Sequence, residues 1–422
     1  VTVVGLDDTD SRTRGMCTTY VASRVARALR ERGHGVERCL LVRLNPAVPY
    51  KTRGNAALAV HTDAPVAAAL AVAREHVSDA AEVADDRTNP GVVVAPGDPG
   101  DVTDTVAEWA RRALREDLDV ADAVALADDA GFEREGWKSG RGQVGALAAV
   151  GAWRAFDDWT YEQISYRAPE RWGTPRDVDD ASVFAAADAA YPDVWDTVDR
   201  GEAEAVCVPH TPGPVLHAVR GDDPDACRAA ADAIDAEPVH DARLFVTNQG
   251  TDAHLRDGEM GDLADGRGYR VRGAVASAPE TREGGHVFVD LRDGEETLSC
   301  VAFEPTKRFR DRVRALRPGD DLTVCGEFTE GTLKLEKFRV HGLDVVERVV
   351  PDCPECGSRM ESAGRSQGYR CRDCGTRRAE KDRRVVARDL APGWYEVPPC
   401  ARRHVAKPLV RGGFDAPTHP EG

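Results

Sequence analysis

The chain has 422 residues, 73 acidic against 56 basic, a formal charge of −17 and 41% hydrophobic residues. That length exceeds one ordinary core and calls for several domains. No apolar run approaches the roughly 20 residues of a membrane span and the start does not read as a secretion signal, so a cytoplasmic protein with no membrane partner is expected.

Only seven of the basic residues are lysine. This acidic, lysine-poor balance is like that of proteins from salt-loving organisms, where hydrated charge keeps a surface soluble. Residues 1–6 read as a short apolar strand, and the spacing of Val21, Val25, Ala28 and Leu29 predicts a helix over 18–32, closed by Gly33 and Gly35. Strands are expected at 39–44, 56–61 and 91–95, with helices at 64–77 and 102–114, giving an α/β domain over 1–130. A second α/β unit spans 131–255. Its stretch GQVGALAAVGAW (142–153) is so small and apolar that strand and helix are hard to separate. Strands at 203–210 and 242–250 around a helix at 223–236 fit a small α+β sandwich, and the Gly/Asp-rich residues 256–268 read as a linker.

The third unit, 268–348, is all-β. Period-2 runs at 269–277, 286–293, 296–304, 320–328 and 332–340, with a helix at 306–316, have the layout of an OB-fold barrel, whose open face commonly takes single-stranded nucleic acid. The fourth, 351–422, pairs Cys353-x2-Cys356 with Cys371-x2-Cys374, each pair followed by a glycine. Four thiolates suit Zn²⁺ in a closed, structural zinc ribbon. The remaining seven cysteines, in a chain without a secretion signal, read as buried thiols rather than disulfides. This last unit carries 14 basic against 10 acidic residues. Arg359, Arg365, Arg370, Arg372, Arg377, Arg378, Arg383 and Arg384 suggest a phosphate-contacting surface. In GWYEVPPCARRHVAKPLVR (393–411), aromatics join Arg402, Arg403, His404, Lys407 and Arg411, a mix suited to stacking on unpaired bases.

The chemistry begins at GLDDTDSRTRGMCTTY (5–20), where Asp7, Asp8 and Asp10 crowd the end of a buried strand. Carboxylates there are costly unless a cation or proton joins them, and hard oxygens suit Mg²⁺ carrying nucleotide phosphates. The plain alternative is a turn and a helix cap. Thr18 and Thr19 open the next helix, either as caps or as hydroxyls placed to contact or accept a phosphoryl group. In GWKSGRGQVGAL (136–147), glycines including Gly142 allow close backbone approach while Lys138, Ser139 and Arg141 supply donors; the order is not that of a Walker motif. RLNPAVPYKTRGNAA (43–57) adds Lys51 and Arg53 for anion capture.

Together with TNQGTDAHL (247–255), the zinc ribbon and the 393–411 segment, these motifs closely resemble the archaeal 2-agmatinylcytidine synthetase family, over essentially the whole chain. The resemblance implies a multidomain protein: an α/β kinase-like ATP-binding domain at 1–130, a ferredoxin-like α+β domain at 131–255, an OB-fold at 268–348, and a zinc ribbon with a basic tail at 351–422. It implies an ATP-dependent ligase that joins agmatine to C2 of the wobble cytidine in the CAU anticodon of a minor isoleucine tRNA. The 2-oxo group is phosphorylated, the amine displaces it, and ATP ends as AMP and pyrophosphate. The resemblance also implies that a threonine of the first domain becomes phosphorylated, by motif position Thr18, with Thr19 as the neighbour to exclude. ATP, Mg²⁺ and Zn²⁺ are the implied cofactors, and no obligate protein partner is evident. Agmatine is a dication, so a carboxylate must receive its guanidinium end; the sequence singles out none, and Asp252 is taken as the candidate. Arg372, Arg377, Arg378, Arg402, Arg403, His404 and Lys407 are the expected tRNA contacts. The competing reading is a non-catalytic single-strand-binding protein built on the barrel and ribbon.

Overall fold

The computed structural model describes residues 1–52 and 54–412. Strand β1 (Thr2–Asp7) lies at the centre of the first unit. Val4 and Leu6 enter one core and Val3 the other. A strand covered on both faces must be apolar along its length, which is why residues 3–6 carry no polar side chain. Helices α1 (Thr18–Glu31) and α2 (Val66–Ala80) cover the Val4 face. Helices α3 (Asp104–Ala113), α4 (Val120–Asp129) and α5 (Gly142–Ala155) cover the other. Strands β2 (Val36–Arg43), β3 (Ala56–Thr62), β4 (Gly91–Pro96) and β5 (Glu133–Gly136) complete an antiparallel set in the order β5-β4-β1-β3-β2.

The second unit adds β6 (Thr160–Tyr166), β7 (Val194–Trp195), β8 (Val215–Gly221) and β9 (Asp241–Thr247), with α6 (Asp180–Ala190) and α7 (Pro224–Asp232) packed on one face. Leu40 and Leu41 of β2 pair in parallel with Val246 and Thr247 of β9, so the two units share one nine-stranded sheet. Residues 142–153, ambiguous in the sequence, are helical and pack in the first core, as does β5 against β4. Both lie past the expected 130/131 boundary while packing on the first unit. Residues 203–210 form turns and one isolated bridge, Glu204 to Asp199, not the expected strand. Pro209, Pro212 and Pro214 lack the N–H a ladder needs, and pairing starts again only at Val215.

The barrel follows expectation. After β10 (Leu255–Asp257) come β11 (Arg267–Val275), β12 (Glu280–Thr281), β13 (Val287–Asp293), β14 (Glu296–Ala302), α8 (Phe309–Arg314), β15 (Asp321–Thr329) and β16 (Thr332–Gly342), closed by pairing of β11 with β13. The expected linker is partly ordered, since β10 pairs with β11. A two-stranded stem, β17 (Val346–Val349) against β21 (Asp382–Val385), carries the zinc ribbon with β18 (Glu361–Ser362), β19 (Tyr369–Arg370) and β20 (Arg377–Arg378). The chain then returns. Strand β22 (Gly393–Glu396) pairs with β16, and Leu390, Tyr395 and Val397 enter the barrel core. Trp394, Val405, Ala406 and Leu409 pack with Leu255 and Cys325. No helix among the described residues is long and apolar enough to cross a membrane.

Candidate active site

Strand β1 ends at Asp7, and Asp8 follows with φ of 59°. The Asp8 amide donates to Asp7 Oδ1 at 2.6 Å, turning the chain back towards α1. The N-terminus of α5 closes on this corner. A Cβ at Gly145 would lie 2.0 Å from Asp7 Oδ2, so only glycine admits the carboxylate there. Asp7, Asp8, Asp10 and Thr18 all line one cavity of about 290 Å³ between the two α/β units. Lys51, Arg141 and Gly142 line it too, as do Tyr50, Arg43, Glu162 and Arg220.

Burial raises the Asp7 carboxyl well above the usual range, and the charge of Asp8 adds to it. Asp8 is pushed up to about 6, mainly by burial; Arg141, with Nη2 at 3.4 Å, opposes that rise. Its Oδ2 also accepts from the Asn89 amide at 3.1 Å. Asp10 Oδ1 accepts from the Thr52 hydroxyl at 2.7 Å. The three carboxylates do not converge on one cage: among the described residues, only the four ribbon cysteines bring three or more ligand atoms within 4.8 Å of one another. Thr18, 6% exposed, accepts from Thr9 Oγ1 at 3.1 Å and the Thr9 amide at 3.4 Å. Thr19 instead contacts Cys17 Sγ at 3.0 Å.

The sequence motifs disperse around this centre. The Arg141 guanidinium lies 4.0 Å above the Tyr50 ring. Lys138 and Ser139 do not line the cavity: Lys138 Nζ donates to the Asp85 carbonyl at 2.6 Å and Ser139 Oγ to Asn89 Oδ1 at 2.9 Å, so both brace the loop behind it. Arg53 lies outside the described residues. Asp252 is not among the residues that line the cavity. Lys337 Nζ at 3.0 Å and the Lys407 amide at 2.7 Å both hold its Oδ1, and Arg270 reaches its Oδ2 at 3.5 Å. These cations occupy the carboxylate away from the cavity, where agmatine would have to compete with them. The sequence reading missed Tyr50, Arg43, Glu162, Arg220 and Asp117, which also line it. Tyr50 was within reach, because it sits beside Lys51 in the Pro/Gly-rich loop.

Family models match in order: the TiaS TCKD domain at 3–66, the TiaS FLD domain at 140–254, an OB-fold nucleic acid binding domain at 269–341 and the TiaS C-terminal zinc ribbon domain at 350–390. The tRNA 2-agmatinylcytidine synthetase TiaS of Haloquadratum walsbyi is 50% identical over all of both chains. That of Methanosarcina mazei is 46% identical over 97% of each. The chain belongs to the TiaS family. It also superposes on the crystal structure of a TiaS complex with its tRNA and ATP, with a TM-score of 0.89 at 42% identity, covering 99% of this chain and 98% of that one. For a TiaS complex with tRNA, AMPCPP and agmatine the values are 0.87 and 38%, with 99% and 98% covered.

The TiaS ribbon has a complete donor set for zinc. The Sγ atoms of Cys353 and Cys374 lie 3.3 Å apart, those of Cys356 and Cys371 3.5 Å, and those of Cys356 and Cys374 3.6 Å. Tetrahedral ligands about 2.3 Å from zinc would stand roughly 3.8 Å apart, so the thiols are placed to close on the ion. Arg372 stays 79% exposed beside Glu361, Arg377 is exposed, and Arg378 pairs with Asp382 at 2.7 Å.

The tail reads differently from its sequence. Arg402, expected to face RNA, is 4% exposed, held by Asp196 at 2.6 Å and Glu396 at 2.9 Å. Arg403 pairs with Glu336, and His404, deprived of water and set among Arg220, Arg43 and Arg402, has its pKa driven well below the usual value. The Lys407 carbonyl accepts from Lys337 Nζ at 3.0 Å. Residues 393–411 thus strap the barrel to the nine-stranded sheet, with Arg402 as an internal ion-pair partner.

Proposed function

We propose that this chain is an ATP-dependent ligase that joins agmatine to C2 of the wobble cytidine in the CAU anticodon of a minor isoleucine tRNA, giving agmatidine so that the tRNA reads AUA. The observation that carries this reading is the shared cavity: three aspartates, a buried threonine hydroxyl, Lys51 and Arg141 line one space, in a chain that matches the named synthetases end to end. A carbonyl oxygen leaves poorly, so the 2-oxo group must first become a phosphate ester. The 2-oxo oxygen takes a phosphoryl group as a phosphoanhydride P–O bond of ATP breaks; the agmatine amine then attacks C2 and gives up a proton, the C2–O bond breaks, and the oxygen departs as inorganic phosphate. Thr18 is assigned as the residue that takes up phosphate; its oxygen accepts from Thr9, so its own hydrogen is not spent on that contact. Lys51 and Arg141 steady the phosphoryl charge, with Arg53 assigned the same task from its loop motif and Gly142 allowing close approach. Lys138 and Ser139 are assigned a supporting role, fixing the loop that presents Arg141.

Magnesium fits the corner as a companion of ATP: Asp7 and Asp8 would hold it, with Asp10 beside them, and it would neutralise phosphate charge. The buried Asp7 carboxyl, raised by desolvation and by Asp8, is the group an arriving cation relieves. For the guanidinium of agmatine the cavity offers three further carboxylates. Glu162 lies between Arg43 and Arg220, and Glu116 between Arg112 and Arg267. Asp117 has no side-chain partner among the described residues, so we assign it. The barrel, with Arg372, Arg377 and Arg378 of the ribbon, holds the tRNA, and the work is done in the cytoplasm.

The deciding experiment incubates the chain with ATP, Mg²⁺, agmatine and a CAU-anticodon isoleucine tRNA transcript and weighs the anticodon by mass spectrometry. The wobble cytidine should gain agmatine, Asp7→Ala should abolish the gain, and Thr18→Val should no longer take up labelled phosphate. Asp117→Asn should raise the KM for agmatine by about tenfold, the worth of a charge-assisted contact, and leave that for ATP unchanged. RNA binding without any nucleotide-dependent mass change would favour the non-catalytic alternative.

A further inference from the structure

The stem between barrel and ribbon has two unlike faces. Its register sets Val346 opposite Val385, Glu347 opposite Arg384, Arg348 opposite Arg383 and Val349 opposite Asp382. Side chains alternate along a strand, so Val346, Val385, Arg348 and Arg383 share one face. On the other face charges are matched: Glu347 pairs with Arg317 at 3.4 Å and faces Arg384, and Asp382 pairs with Arg378 at 2.7 Å. The first face has no such match. Val346 is 41% exposed and Val385 76%, and the guanidinium groups of Arg348 and Arg383 have no ion pair or hydrogen bond among the described residues.

This arrangement works against folding. Like charges directly opposite each other destabilise a strand pair, and a lone two-stranded ribbon is marginal already. The cross-strand arginines stand on a chain whose net charge is −17, where an acidic neighbour would have been easy to supply. An anionic partner reverses the balance, and two exposed valines beside two guanidiniums suit a ribose-phosphate strand: apolar contact for the sugars, cations for the phosphates.

We propose that the Val346/Val385/Arg348/Arg383 face of the stem is an RNA-binding surface that grips the phosphodiester backbone of the substrate tRNA, separate from both the barrel and the zinc knuckles. The inference rests on the functional reading above for the identity of the RNA. It makes the stem a working part of the interface, not a tether.

The test uses the full chain with zinc bound and a CAU-anticodon tRNA transcript, titrated over a salt series. In Arg348→Gln/Arg383→Gln, affinity should fall roughly tenfold and the slope of log K against log salt should flatten by about 1.5, the release expected for two phosphate contacts. Arg348→Lys/Arg383→Lys should restore both, and Arg384→Gln on the matched face should change the slope by less than half as much. Because the glutamine pair removes a repulsion, its zinc content and melting temperature should not fall, which separates lost binding from lost folding. Wild-type affinity and slope in the glutamine variant would overturn the proposal. Normal cytidine modification together with unaltered variant binding would sink the surface and spare the reaction; absent modification with binding that still depends on these arginines would do the reverse.

Discussion

Gly145 and Gly5 lie on the two sides of the contact between β1 and α5, yet their replacement should fail in different ways. A Cβ at Gly145 meets the end of the Asp7 side chain at 2.0 Å, whereas one at Gly5 meets the Ala146 carbonyl at 2.1 Å. A carboxylate can swing aside and a helix backbone cannot. Gly145→Ala should therefore stay folded and lose phosphate uptake, while Gly5→Ala should lose about 3 kcal/mol of stability, the upper range for overpacking; urea unfolding beside a labelling assay checks both. Asp8 gives the pH prediction. Its acid is near 3.8 when unfolded and about 6 in the fold, so across that window the native state binds more protons and its stability falls as pH rises. The cost at pH 7 is about 3 kcal/mol. Asp8→Asn removes the titration, so without divalent cation its stability advantage over the wild type should grow from pH 4 to pH 7. A difference that stays flat with pH would show the carboxylate to be solvated after all. The aspartate corner was legible because carboxylates ending an apolar run need a reason. Asp117 was not, since among Glu116, Asp119 and Asp122 nothing in the sequence marks it apart.

Among the elements, the barrel was the most legible and the tail the least. Period-2 apolar runs in the barrel place Val271, Val289, Leu291 and Val324 in its core, and local pattern is enough to fix such strands. Helix α5 escaped because its glycines and alanines have no periodic contrast; they are small so that the helix can lie against β1. The segment 393–411 carries arginines beside aromatics, a composition shared by RNA-binding tails and by buried straps. What decides between them is whether carboxylates wait at the docking place, and Asp196 is brought there only by folding. The strap reading makes a sharp prediction. Arg402→Ala leaves Asp196 and Glu396 sealed without their cation, a loss of about 3–5 kcal/mol for a broken buried pair. Chemical denaturation should show that loss, and the salt dependence of tRNA binding should keep its wild-type slope. A stable Arg402→Ala protein with a shallower slope would return this arginine to the RNA interface.

At the scale of the whole molecule, the acidic body and the ribbon are built on different principles. The two faces of the nine-stranded sheet and the barrel each enclose an extensive apolar cluster. The ribbon encloses only Cys353, Met360 and Cys371, with Val350 and Tyr369 against them. So small a core cannot offset the chain entropy of ordering the segment, and the binding energy of zinc stands in for it. The link to the body is equally spare: the stem, anchored at its base where Arg388, 3% exposed, meets the fully buried Asp320 at 2.6 Å. Removing zinc should therefore unfold the ribbon and leave the rest standing. With a strong chelator, four further thiols should become reactive to a disulfide reagent, and the main thermal transition should move by no more than a few degrees. ATP-dependent labelling of Thr18 should persist, because Thr18 is held by Thr9 in a cavity that no ribbon residue lines. Affinity for tRNA should drop and its salt dependence become shallower, since exposed guanidiniums such as Arg372 and Arg377 lose the scaffold that spaces them. A chelator that collapses the main transition, or that stops labelling as completely as it weakens RNA binding, would mean that the ribbon is part of the folded body and that zinc supports the active corner as well as the grip on RNA.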